Sequence, residues 1–113
     1  MQFLVIGRGE SATPGINPAE MIAWVKQGIK EFQEDDRTQA IYGLSGEPAI
    51  ALMCEVESAA DLDHYLSLNP LNFGTEWDIH PLTNAEELNE SVNLVQERIQ
   101  SWIKEEASRK EVA

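Results

Sequence analysis

Three side chains that can exchange protons occupy alternate positions around residue 78. Glu76, Asp78 and His80 lie in the segment 76–82, which alternates polar with apolar residues as a half-buried β-strand does. Alternate residues of a strand point to the same face about 7 Å apart, near enough for a carboxylate to hold a proton on the imidazole. The segment therefore predicts a general acid–base site, with a solvated strand face as the alternative interpretation.

Other reactive or metal-binding groups are few in the sequence. The single cysteine, Cys54, lies in an apolar segment and is interpreted as a small buried hydrophobe rather than a nucleophile. His64 falls in an acidic helical segment and is interpreted as a surface residue. The sequence has no metal-ligand spacing, and the glycines of segment 7–10 are not followed by a helix-opening glycine pattern, so we interpret that segment as a loop. We expect no metal and no other cofactor.

Composition limits the classes of protein to which the chain can belong. Its 113 residues, 42% of them apolar, suit one domain with a real core and no need of disulfides. The longest apolar run, 49–54, is far too short to span a bilayer, and residues 1–8 have no basic leader, so we expect a cytoplasmic protein. A net charge of −12 argues against nucleic acid and against anionic membrane surfaces as partners.

Four strands and two helices are predicted in the first three quarters of the chain. Asn17 and Ser58 are predicted N-caps, and Asn69-Pro70 closes the second helix. The predicted order is a strand at 3–8, a turn at 11–15, a helix from 18, strands at 38–44 and 49–56, a helix from 59, and a strand at 76–82. This β-α-β-β-α-β order predicts an α+β, ferredoxin-like fold with a four-stranded antiparallel sheet and both helices on one face. The third strand is apolar on both faces, so we expect a second subunit to cover the face without helices.

A long helix is predicted after this domain. Asn84 is its candidate N-cap, and apolar residues follow at alternating spacings of four and three, which is typical of a helix-packing seam. They are Leu88, Val92, Val95, Ile99 and Trp102. A helix over residues 85–108 would be about 36 Å long, longer than the small domain is wide. We therefore predict a domain at 1–83 and a helical extension at 84–113 that packs on the domain or on a neighbouring subunit.

Two passages resemble muconolactone isomerase and its relatives. They are residues 1–8, and residues 66–71 running into 78–82. The resemblance covers residues 1–82, and its stretch from Pro70-Leu71 to Pro81-Leu82 matches the family's without a gap. It implies a dimeric α/β barrel, in which two sheets close face to face around a cavity, often within larger assemblies. It also implies a cofactor-free double-bond shift in an unsaturated lactone that carries a carboxylate.

Five residues are candidates for this chemistry. The shift needs a base beside a carbonyl and an acid elsewhere, for which Glu76, Asp78 and His80 are the candidates. Arg8 ends the first strand and can bind two oxygens of a substrate carboxylate or carbonyl, with a surface salt bridge as the alternative. Tyr42 stands where relatives have an aromatic residue and is expected to line the cavity or to pack in the core.

The sequence also departs from the family. Relatives tend to carry a basic residue just after the aromatic residue of the second strand, whereas Gly43 and Leu44 follow Tyr42 here. The net charge of −12 would also repel an anionic lactone at long range.

Three functions from different classes remain open. The first is an enzyme of the isomerase kind, with a small-molecule substrate in the barrel of a homodimer or higher homo-oligomer. The second is a non-catalytic ligand-binding protein, whose affinity would survive the loss of His80. The third is an oligomeric protein-interaction module that works through the long helix, with a filled barrel.

Overall fold

The chain forms two compact units, Met1–Leu82 and Thr83–Ala113. In the computed structural model, residues 1–9 and 17–112 are described, with side chains up to Lys110. The elements are β1 (Gln2–Gly9), α1 (Pro18–Glu34), β2 (Thr38–Gly43), β3 (Ala49–Glu55), α2 (Ala59–Ser67), a 3-10 turn (Pro70–Asn72), β4 (Thr75–Leu82) and α3 (Ala85–Val112). The predicted α+β order and the long C-terminal helix are confirmed.

The four strands form one antiparallel sheet in the order β2-β3-β1-β4. β4 is an edge strand, which is where a proline such as Pro81 is tolerated because it cannot donate a backbone hydrogen bond. The strand predicted at 3–8 is confirmed and extends to Gly9, because residues 7 and 8 pair with both β3 and β4 and Gly9 pairs with β4. The interpretation of segment 7–10 as a loop is therefore wrong for residues 7–9, and Glu10 lies outside the described residues. The turn predicted at 11–15 also lies outside them.

Side-chain caps start the helices where the sequence predicts. The Asn17 side chain accepts a hydrogen bond from the N–H of Ala19 at 2.8 Å, and the Ser58 hydroxyl accepts one from the N–H of Asp61 at 3.1 Å. Asn84 accepts from the N–H of Glu87 at 2.8 Å. Each cap satisfies a backbone donor that the first turn of a helix leaves unpaired. α3 then continues to Val112, one turn beyond the predicted end.

The core lies between the sheet and the helices α1 and α2. Phe32 of α1 is 1% exposed, and its ring lies 5.1 Å from that of Tyr65 on α2 and 6.0 Å from that of Trp77 on β4. The other buried core side chains are Phe3, Val5, Leu52, Cys54, Val56, Leu62 and Leu66. The Phe32 ring thus connects α1 and α2 to β4, the strand that carries Glu76, Asp78 and His80.

Asn69 locks α1 against the 3-10 turn. Its buried side chain donates to the carbonyl of Gly28 at 2.9 Å and accepts from the N–H of Leu71 at 2.9 Å. A Cβ at Gly28 would lie 2.4 Å from the Leu71 side chain, so only glycine allows this approach. Asn69-Pro70 therefore closes α2 as predicted and also fixes the passage that leads into β4.

Arg37 clamps the α1–β2 turn to the start of α2. Its guanidinium donates to both carboxylate oxygens of Asp35, at 2.9 and 2.7 Å, and to Asp61 at 2.8 Å, and it lies 5.0 Å from the centre of the Tyr65 ring. The side-chain hydrogen bond from Arg37 lowers the pKa of Asp35 from an ordinary value of 3.8. The pKa of Asp61 is also lowered, chiefly by the backbone N–H of Glu57.

These shifts predict a loss of stability in acid. A lowered folded-state pKa contributes stability that is present above pH 3.8 and is lost as the pH falls through the folded-state value. We expect Arg37→Gln to lower the free energy of unfolding by about 1.5–3 kcal/mol at pH 7 and to weaken its decline below pH 4, as measured by urea denaturation. Arg109→Gln, a change of an exposed arginine in α3, is the control. An unchanged acid decline in Arg37→Gln would contradict the clamp.

Candidate functional site

The predicted site residues lie on the sheet face opposite α1 and α2, which we call the open face. Strand register sets three rows across its centre: Leu4 lies between Met53 and His80, Ile6 between Ala51 and Asp78, and Arg8 between Ala49 and Glu76. The face is therefore apolar at Leu4 and Ile6 of β1, whereas Arg8 at the end of β1 and the three ionisable residues of β4 make its β4 side polar. Glu76, Asp78 and His80 share this face because they alternate along β4, as predicted.

Asp78 joins His80 to Arg8. The Asp78 Oδ2 atom lies 3.0 Å from His80 Nε2 and 3.8 Å from Arg8 Nη1. Nε2 is therefore the ring nitrogen beside the Asp78 carboxylate, and Nδ1 is the ring nitrogen on the other side of the imidazole. This carboxylate–imidazole pair is the arrangement predicted from the alternation along the strand. All three side chains are about half exposed, at 49–52%.

Arg8 keeps its hydrogen-bond donors available. Its contacts to carboxylates are 3.8 Å to Asp78 and 3.7 Å to Glu47, which are ion pairs too long to be hydrogen bonds. Within residues 1–9 and 17–110 its guanidinium donates no hydrogen bond, whereas that of Arg37 donates four. Arg8, unlike Arg37, can therefore bind a ligand oxygen. It also forms the surface salt bridges of the alternative interpretation.

A cavity of about 300 Å³ lies at this edge of the sheet, lined by Arg8, Glu76, Trp77 and Asp78. Its volume is at the lower end of the range for small-ligand pockets. The Trp77 ring lies over Gly7, where a Cβ would come within 2.5 Å of it, and its indole N–H donates to Asn72 at 2.9 Å. These contacts hold Glu76 and Asp78 beside the end of β1.

Two further residues bear on the site. Tyr42 lies on the open face in the row of Ala51, Ile6 and Asp78, three strand spacings or about 14 Å from Asp78. It is therefore not part of the cluster, and its role in lining a barrel cavity stays a prediction. Its side chain is 61% exposed, which makes the alternative of core packing wrong. The sequence analysis did not identify Glu47 as a site residue. Glu47 lies in the β2–β3 hairpin and contacts Arg8. It could have been identified only from the antiparallel pairing of β3 with β1, which brings this hairpin to the end of β1.

A second cavity, of about 370 Å³, lies on the helical side of the domain. It is lined by Trp24, Gln27, Ser67, Leu68, Asn69, Pro70 and Phe73, none of which is ionisable. It therefore offers no group for acid–base chemistry. Among the described residues, no set of three or more His, Cys, Asp or Glu side chains could hold a metal ion. None of the helices in the described part of the chain combines the length and apolar character that crossing a bilayer requires.

Cys54 is buried in the core with no exposed surface. Burial raises the pKa of its thiol to about 11, so the reactive thiolate is scarce near neutral pH. We expect the native protein at pH 8 to resist iodoacetamide, with the chain alkylated at its one cysteine only in denaturing urea, as measured by intact mass. Labelling of the native protein at the rate of the unfolded chain would contradict this burial.

Comparison with known proteins gives one kind of match. No protein-family model matches the sequence, and none of the curated proteins is similar enough to match it. Among solved structures, the crystal structure of muconolactone isomerase at 3.3 Å resolution matches with a TM-score of 0.64 and 19% sequence identity. The match covers 74% of this chain and 90% of the isomerase chain. It confirms that this chain has a muconolactone isomerase-like fold, and at this identity it shows the fold alone.

Proposed function

We propose that this chain is a muconolactone isomerase-like enzyme that catalyses proton-transfer isomerisation of an uncharged lactone or enol-type substrate at the β4 edge of the open face. The observation that carries the proposal is the His80–Asp78 pair, at 3.0 Å, beside an arginine whose donors are available. A base held by a carboxylate and a cationic donor near it are the two groups that enolate chemistry needs.

The reaction follows from the positions of these groups. His80 Nδ1 removes a proton from the carbon beside the substrate carbonyl, and the electron pair of the broken C–H bond moves into the conjugated system, leaving negative charge on the carbonyl oxygen. Arg8 donates hydrogen bonds to that oxygen, and Asp78 stabilises the imidazolium. The imidazolium then returns the proton to the far carbon, which shifts the double bond. Glu76, which lines the cavity with Arg8 and Asp78, accepts a hydrogen bond from the hydroxyl of an enol-type substrate.

Local charge supports an uncharged substrate. Among the described residues, Arg8 is the one Lys or Arg side chain at the cluster, and the carboxylates of Glu47, Glu76 and Asp78 lie near it. A further carboxylate on the substrate would be repelled by this excess of negative charge. In this respect we expect the substrate to differ from the carboxylate-bearing lactone of the family that the sequence resembles.

A second copy of the chain would complete the site. The centre of the open face is apolar at Leu4, Ile6, Ala51 and Met53, and its edge is polar, which is the usual anatomy of a protein interface. Covering this face would exclude water from His80 and strengthen every charge interaction there. The homodimeric barrel implied by the sequence resemblance is therefore part of this proposal.

The proposal is tested with a pair of unsaturated five-membered lactones, one uncharged and one bearing a carboxylate. We expect the full-length protein to shift the double bond of the uncharged lactone, as measured by ultraviolet absorbance, with at least a tenfold lower kcat/KM for the charged one. Arg8→Gln should lower kcat/KM about 10–1,000-fold because the enolate oxygen loses its donor, and Arg109→Gln should leave it unchanged. No turnover of either lactone above the buffer rate would contradict the proposal.

A non-catalytic ligand-binding protein is the second candidate. The half exposure of His80 and Asp78 favours it, because proton-transfer groups work best when they are shielded from water. In that case a ligand would still raise the melting temperature of His80→Ala as much as that of the unaltered protein.

A further inference from the structure

α3 presents an apolar stripe, Leu88, Val92, Val95, Ile99 and Trp102. Each of these side chains is between 46% and 58% exposed. Their spacing alternates between four and three residues, which keeps them on one side of the helix and is the spacing of a coiled-coil seam. The Arg98 guanidinium lies 5.1 Å from the centre of the Trp102 ring and flanks the end of the stripe.

The two halves of α3 carry opposite charge. Residues 85–97 contain four acids and no base, a net charge of −4. Residues 98–110 contain four bases and two acids, a net charge of +2. Residues 1–82 contain 13 acids and four bases, so this part of the chain is too acidic to attract the acidic half of α3. The second half of α3 is thus the cationic segment of an acidic chain.

We propose that α3 of one copy pairs antiparallel with α3 of a second copy through this stripe. The antiparallel arrangement places each acidic half beside a cationic half and opposes the two helix dipoles favourably. A parallel arrangement would place two segments of charge −4 side by side. This pairing is independent of the chemistry at the open face.

One register of the antiparallel pair places an apolar residue of the second copy opposite each residue of the stripe. It places Leu88 opposite Ile99 of the second copy and Val92 opposite Val95. Trp102, the largest side chain of the stripe, then meets Ala85, the smallest residue at the start of the helix. Large side chains opposite small ones pack at native density, which supports this register. Its centre lies between residues 93 and 94.

Distances between spin labels test the pairing in the full-length protein. Because Cys54 is buried, a thiol-specific label attaches only to an introduced cysteine. We expect labelled Asn93→Cys to give a distance between copies below about 25 Å, since helix axes pack 8–10 Å apart at the centre of the pair. Labelled Ser108→Cys should give a distance above about 40 Å, because its two copies are about 29 residues apart along the axis at 1.5 Å each.

Two further variants test whether the apolar stripe holds the two helices together. Adding Val95→Asp to the labelled Asn93→Cys protein should abolish the short distance, and adding Ser101→Asp, which places the same charge off the stripe, should retain it. Short distances at both 93 and 108 would show a parallel pair and overturn the proposal. So would the absence of any distance between copies at residue 93, or a short distance that survives Val95→Asp.

Discussion

Replacing His80 with glutamine is expected to lower kcat/KM for the double-bond shift by about 10²–10⁴-fold, the usual contribution of a general acid–base group. Glutamine keeps a polar side chain beside Asp78 but has no basic nitrogen, so the loss measures the contribution of the imidazole as a base. The measurement is turnover of the uncharged lactone, with circular dichroism to show that the fold is intact.

His64→Gln is the matched control for this prediction. His64 is the only other histidine in the chain and is exposed on α2, away from the open face. We expect His64→Gln to retain full activity. A His80→Gln enzyme within about threefold of the unaltered protein would show that the imidazole is not the base, and would shift the assignment toward a ligand-binding protein.

Phe32→Ala is expected to give the largest loss of stability. Phe32 is 1% exposed and packs against Tyr65 and Trp77, so its removal leaves a cavity where three elements meet. Substitutions of this kind lower the free energy of unfolding by about 3–5 kcal/mol. For a domain of this size, we expect a melting temperature lower by more than about 10 °C in calorimetry.

Phe73→Ala makes the same chemical change at an exposed position. Phe73 is 77% exposed and contacts the Trp24 ring edge-on at 6.3 Å. We expect it to change the free energy of unfolding by less than about 1 kcal/mol. Similar losses in the two variants would contradict the placement of the core between the sheet and the two helices.

The elements of this fold are predictable because their signals are local. Asn17, Ser58 and Asn84 cap helices within three residues of themselves, and the alternation of β4 places its three ionisable residues on one face. That alternation places Asp78 and His80 about 7 Å apart on one face, and their side-chain conformations then bring Oδ2 and Nε2 to 3.0 Å. The four-stranded antiparallel sheet follows from the β-α-β-β-α-β sequence of elements and the handedness of its crossovers.

The contacts that shape the site are not local and escaped prediction. Glu47 meets Arg8 only because β3 pairs with β1, and the Arg37 clamp joins residues 24 positions apart. The family resemblance predicted that Tyr42 lies on the second strand. It could not predict that two strands separate Tyr42 from the strand of Asp78. The loop interpretation of residues 7–10 rested on their glycine-rich composition, whereas pairing with β4, and at residues 7 and 8 also with β3, keeps residues 7–9 extended.

The measurement that tests the central claim most directly is deuterium exchange into an uncharged unsaturated lactone in D2O, followed by proton nuclear magnetic resonance. It detects removal of a proton beside the carbonyl whichever double-bond isomer is favoured at equilibrium. The account predicts that the full-length protein accelerates the exchange at least 100-fold over buffer, and that His80→Gln removes this acceleration while His64→Gln does not. Exchange at the buffer rate with the lactone bound would contradict a proton-transfer site on the open face.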